Sequence, residues 1–208
     1  MTSVAHSTRK RTEAQAEGVQ ATLTNLFRLV SQHQLELYTK QGTVTIRDIP
    51  SDYDMSFDHW IASITVSGEM LRFRFRVHFT SVAARHLAAM GLGMDPEKVP
   101  ARIAHDFMRE YCNLTAGSMK RWLQNPGAEN VSYQVSLPHK KAAYSDVKLA
   151  EELPQSWSLA IGGCEVICVS NVTVFHPESL QFLADPQLEA TIRRHGDPSN
   201  LIDEIIFL

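Results

Sequence analysis

Two side chains able to do polar chemistry stand three residues apart in the stretch Val99 to Leu123: the carboxylate of Glu110 and the carboxamide of Asn113. At about 100° per residue, Asp106, Glu110, Asn113 and Gly117 fall at spacings of four, three and four and share an arc of about 60°. Facing them is an apolar half-wheel of Ile103, Ala104, Phe107, Met108, Tyr111, Leu114, Met119, Trp122 and Leu123. The pattern predicts an amphipathic helix with the polar line exposed. Asparagine is a mediocre helix residue, and a glycine in a helix interior costs about 1 kcal/mol relative to alanine. Both choices make sense if a partner's backbone must approach beside an exposed carboxylate and carboxamide. An ordinary solvated helix face has the same spacing.

Other chemistry finds less support. Cys164 and Cys168, with Cys112 and a histidine, would be the only route to a zinc site. No C-x-x-C pair or H-E-x-x-H is present, so the three cysteines read as buried reduced thiols and no metal is expected. His105 has Asp106 beside it but no third member. No phosphate-binding glycine loop and no G-x-S-x-G elbow occurs.

The elements that must hold this helix follow from periodicity. Residues 1–11 are polar and read as a disordered arm. Thr12 to Tyr38 carries Val19, Leu23, Leu26, Phe27, Val30, Leu35 and Leu37 at largely helical spacing. Thr43 to Asp48 alternates as a short strand, followed by a turn at Pro50-Ser51-Asp52. Trp60 to Ser67, a turn at Gly68-Glu69 and Met70 to Phe79 make a hairpin. In its second strand Leu71, Phe73, Phe75, Val77 and Phe79 alternate with Arg72, Arg74, Arg76 and His78, giving one apolar and one basic face. The basic face reads as a solvated edge or as a surface for an acidic partner. Thr80 to Met90 is expected as a helix closed by Gly91 and Gly93, then Met94 to Pro100 as a linker. The second long helix, Ala101 to Leu123, stops at Asn125-Pro126-Gly127. Strands are expected at Val131 to Leu137, Trp157 to Ile161 and Glu165 to Val174, the last two joined at Gly162-Gly163. Beyond His176-Pro177, a helix begins at Asp185-Pro186 and ends at Gly196. The apolar tail Leu201 to Leu208 should dock rather than stay solvated. Helix, strands, two helices and strands again, linked by turns instead of helical crossovers, predict an α+β fold with a mainly antiparallel sheet packed against long helices.

Composition narrows the function. Lys and Arg number 20 against 23 Asp and Glu, a formal charge of −3, which gives no reason to expect nucleic acid or an anionic membrane as partner. The first seventeen residues lack the apolar core of a signal peptide, and no run approaches the roughly 18 to 20 apolar residues that span a bilayer. With an odd number of cysteines, three, a reducing compartment is favoured and the cytoplasm is the expected location.

The motif Glu110-Tyr-Cys-Asn113-Leu-Thr-Ala-Gly117 resembles the Glu-x-x-Asn-x-x-x-Gly helix of the CheC/CheX/FliY family of chemotaxis phosphatases. Asp106, four residues before the glutamate, and Pro138, beyond the helix, extend the match, and the flanking elements follow the family's order from Val19 to Phe175. One such helix, rather than two, makes the chain similar to the CheX type. Arg72, Arg74 and Arg76 stand where the family usually has a glycine-containing strand, and Ser118 where asparagine is frequent. The resemblance implies a CheX-like domain over residues 12–176 with a C-terminal helical extension over 177–208. It further implies hydrolysis of the aspartyl phosphate of a CheY-like receiver. Asn113 would orient the attacking water and Glu110 would pair with the receiver's lysine, while Asp106 and Gly117 contact the partner. Mg²⁺ would come with the phosphorylated receiver, no cofactor of the chain's own is needed, and a homodimer is possible by analogy. The alternative is a non-catalytic adaptor of the same fold, to which the arginine face and the C-terminal extension would suit.

Overall fold

Alternation of phenylalanine with arginine makes Leu71–Phe79 the central strand of a twisted antiparallel sheet, because only one face of it can be buried. The computed structural model describes residues 2–40, 42–49, 53, 59–124, 134–135, 139–143, 156–184, 190–192 and 194. Among these, seven strands form one sheet: β1 (Thr45–Asp48), β2 (His59–Ser67), β3 (Leu71–Phe79), β4 (Gln134–Val135), β5 (His139–Ala143), β6 (Ser156–Ile161) and β7 (Cys164–Val174). Their order is β1-β6-β7-β3-β2-β4, with β5 also paired to β2, and every pairing is antiparallel. The expected α+β class is therefore observed. Gly162 and Gly163 take φ of +55° and +78°, the conformation a two-residue hairpin between β6 and β7 needs.

Three helices, α1 (Thr2–Thr39), α2 (Ser81–Leu92) and α3 (Ala101–Leu123), contribute to the core with the apolar face of the sheet. Phe27 of α1 packs edge-on against Phe73 at 4.8 Å and stacks with Phe75 at 5.7 Å between ring centres. Fully burying side chains such as Phe27, Met108 and Met119 stabilises by roughly 1.5–3 kcal/mol each. Thr80 caps α2 by accepting a hydrogen bond from the Ala83 amide, and Gly93 closes it in the left-handed conformation. A 3-10 turn at Pro96–Lys98, capped by Asp95, then leads into α3.

Several expectations need correction. Helix α1 begins at Thr2, so residues 1–11 are not a disordered arm where they are described. Their polarity suggests disorder, but the run has no Gly or Pro, and Arg9 to Gln15 consists of good helix formers apart from Thr12. Gly91 lies inside α2 rather than past its end. A strand at His139–Ala143, on the β2 edge, was not anticipated. The segment after His176 starts as a 3-10 helix, Pro177–Ala184, that packs against α1 and gives Leu180 and Leu183 to the core. The turn at Pro50-Ser51-Asp52, Pro138, most of Val131 to Leu137, Asp185-Pro186, Gly196 and the tail Leu201 to Leu208 lie outside the described residues.

Candidate functional site

Helix α3 spans the residues its periodicity indicated, and its inner face is tied down by hydrogen bonds that fix its rotation. The Tyr111 hydroxyl donates to the Ser31 carbonyl at 2.9 Å, and the Trp157 indole donates to the Ser31 hydroxyl at 3.1 Å. One α1 residue is thus linked to both α3 and the sheet. Gln34 donates to Ser118 Oγ at 2.9 Å, so Ser118, directly after Gly117, is a buried link to α1. Burial pushes the Tyr111, Cys112 and Cys168 groups up, which keeps them neutral. All three cysteines are free and buried.

With the inner face held, the line Asp106, Glu110, Asn113 and Gly117 points outward. Asp106 and Glu110 are exposed, and Asn113 and Gly117 are half-buried. Asn113 Nδ2 lies 3.5 Å from Glu110 Oε2. With the amide nitrogen turned toward the carboxylate, Asn113 Oδ1 is left as an outward acceptor. Among the described residues an alanine Cβ at Gly117 would meet only an Arg121 guanidinium nitrogen at 3.9 Å, so their packing does not require glycine there.

The two carboxylates differ. Asp106 pairs with Arg109 at 3.1 Å and with Arg102 at 3.8 Å, both on its own helix. Among the described residues Glu110 has no cation beside it, so its charge is available to a partner. On its other side stands Tyr38 at the end of α1, whose ring stacks on Phe107 with centres 4.1 Å apart. Partial burial, and then the Glu110 carboxylate, push the Tyr38 hydroxyl up. Ile103, expected on the apolar half-wheel, is 44% exposed and stands near the polar line, and Leu114 is half-buried. Glu110 thus has an apolar and aromatic shoulder: Ile103, seven residues earlier, lies about 20° away on the same helix face, and Tyr38 comes from another element. Proximity between α1 and α3 is a tertiary fact with no local signal at Tyr38.

The site is a convex helix face. The described surface hollows lie elsewhere, one between α2 and the 3-10 turn at Val82, Arg85 and Asp95, another along α1 and β1 at Arg28, Gln32 and Thr45. A convex face bearing a carboxylate, a carboxamide and a glycine is suited to a macromolecular surface rather than to an enclosed small molecule. No three His, Cys, Asp or Glu side chains converge as a metal centre would need, among the described residues. No described helix is long and apolar enough to cross a membrane.

An antiparallel sheet covered by long helices is a fold that this chain shares with solved CheX and CheC-like proteins. Residues 60–150, which include the whole of α3, match the family model described as chemotaxis phosphatase CheX. Solved structures with this fold include the chemotaxis protein CheX from Vibrio vulnificus, at 13% identity over 73% of this chain and 99% of that one, with a TM-score of 0.55. The CheX–CheY–BeF3–Mg²⁺ complex from Borrelia burgdorferi matches at 10% identity over 71% and 96%, with a TM-score of 0.52. A CheC-like superfamily protein from Shewanella sp. PV-4 matches at 13% over 73% and 97%, with a TM-score of 0.51. Among curated proteins none matches in sequence.

Proposed function

We propose that this protein accelerates hydrolysis of the aspartyl phosphate of a CheY-like receiver domain, with α3 inserted at the phosphorylated site. The observation that carries the reading is the outward pair Glu110 and Asn113, next to a glycine that internal packing does not demand. The Borrelia relative was solved with CheY, BeF3 and Mg²⁺, which supports a receiver as partner.

A receiver holding its own Mg²⁺ and lysine lacks only a positioned nucleophile. Asn113 Oδ1 accepts a hydrogen bond from a water and aligns its lone pair with the phosphorus, opposite the aspartyl oxygen. The water oxygen bonds to phosphorus, the bond to the aspartyl oxygen breaks with its electron pair left on the carboxylate, and both water protons leave on inorganic phosphate. Glu110, with no cation beside it among the described residues, pairs with the receiver lysine and sets the register. Gly117 lets the receiver backbone come close, and Asp106 lies at the rim of the contact. The chain forms no covalent intermediate and brings no metal of its own.

The exposed Arg72 and Arg74 favour a second reading, an adaptor that binds a receiver without turnover. Phosphate release from a phosphorylated receiver with Mg²⁺ separates the two. Acceleration by the wild-type chain supports the phosphatase, and tight binding without acceleration supports the adaptor.

A further inference from the structure

The arginine row on β3 lies on the sheet face opposite the one that helps bury Phe73 and Phe75 in the core. Arg72 and Arg74 are exposed, and Arg76 is half-buried with its guanidinium donating to the Asn171 carboxamide. Register defines what flanks them. Arg72 sits between Ser67 and Thr173, Arg74 between Thr65 and Asn171, and Arg76 between Ser63 and Val169. No carboxylate occupies any of these six positions. Arg72 and Arg74 make no ion pair or hydrogen bond within the described residues, and Asn171 is already engaged by Arg76. Like charges at alternate positions of one strand stand about 6.8 Å apart and repel one another. None of the six cross-strand positions beside them carries an anion to offset that repulsion.

We infer that Arg72 and Arg74 form a docking surface for an extended acidic polypeptide segment of another protein, separate from the Glu110/Asn113 face. An extended chain with a carboxylate at every second residue repeats at the same about 6.8 Å, so its acids meet successive guanidiniums in register. Ser67, Thr65 and Thr173 flank the two arginines on the neighbouring strands as neutral polar residues. Nucleic acid fits less well, because two exposed arginines on a chain of net charge −3 neutralise few phosphates. An anionic membrane would want more basic residues and an apolar anchor beside them. Because the two faces are opposite, such a partner can stay bound while α3 engages a receiver. The inference stands whether or not α3 is catalytic.

The test uses the full chain and a fluorescein-labelled peptide of five alternating Glu-Thr pairs, followed by anisotropy at low and at physiological salt. Controls are a block peptide of the same composition, a 20-base-pair duplex DNA and vesicles of phosphatidylserine and phosphatidylcholine. The wild type should favour the alternating peptide over the block peptide and over both other probes. Arg72→Ser/Arg74→Ser should weaken alternating-peptide binding about tenfold, with a melting temperature no lower than that of the wild type. Arg47→Ser, on edge strand β1, should leave that binding unchanged and serves as the charge control. Equal binding of the two peptides, equal loss in Arg47→Ser, or stronger binding of DNA or vesicles would each overturn the inference.

Discussion

Replacing Gly117 by alanine separates what the chain needs from what its partner needs. Gly117 lies within α3, and its backbone is not among those with positive φ, so alanine adopts the conformation without strain. The added methyl meets only a guanidinium nitrogen of Arg121 at 3.9 Å, an ordinary contact with the end of a flexible side chain. The intrinsic helix gain of about 1 kcal/mol is therefore retained. For a chain of this length that corresponds to a rise in melting temperature of about 2–4 °C. The same methyl projects where a partner backbone must approach, and overpacking of such a contact costs about 1–3 kcal/mol. Receiver-dependent phosphate release should fall about tenfold or more, through weaker binding. Thermal melting of the free protein and single-turnover dephosphorylation at several protein concentrations read the two effects separately. A variant that is stabilised yet fully active would remove Gly117 from the docking surface. A destabilised variant would refute the open space described beside it.

Other outcomes follow from the packing and the buried charges. Gly91→Ala should destabilise by about 1–3 kcal/mol, because its Cβ would sit 2.6 Å from both the Phe107 ring and the Tyr38 carbonyl; an unchanged urea midpoint would contradict the helix contact that supports Glu110. His78, buried against His59 at 2.9 Å, has its pKa lowered from 6.5 to about 3, first by burial and then by His59 and Arg76. The unfolded chain takes up that proton as pH falls through 6.5 and the folded chain does not, so stability is lost between pH 6.5 and about 3. By pH 4 the loss should reach about 3 kcal/mol in urea titrations, and His78→Asn should show a correspondingly shallower slope. An identical acid slope in wild type and variant would place the loss elsewhere.

Much of the positioning frame was legible because strong periodicity leaves few choices. The 3.6-residue pattern together with Pro100 and Asn125-Pro126 bounded α3, and strict alternation defined β3. The polar line on α3 was legible for the same reason. What escaped depended on other information. Polarity alone does not distinguish a solvated helix from a disordered arm, and α1 begins at Thr2, within the polar stretch. The pairs Asp106–Arg102 and Asp106–Arg109, by contrast, lie at the local helical spacings i,i+4 and i,i+3, and they distinguish Asp106 from Glu110. Tyr38 beside Glu110, and Ser31 bridging Tyr111 to Trp157, join residues far apart in sequence. No local pattern reports such contacts.

Asn113→Ala tests the central claim most directly. An exposed-face asparagine contributes little to packing, so the variant should melt with the wild type and still bind a receiver carrying beryllofluoride and Mg²⁺. Its acceleration of phosphate release should fall about 100-fold, roughly 3 kcal/mol in the barrier, the usual loss for one positioned polar group. Glu110→Ala, assayed alongside, should act mainly by weakening receiver binding. Full activity of Asn113→Ala on a phosphorylated receiver would contradict the assignment of α3 as the helix that orients the water.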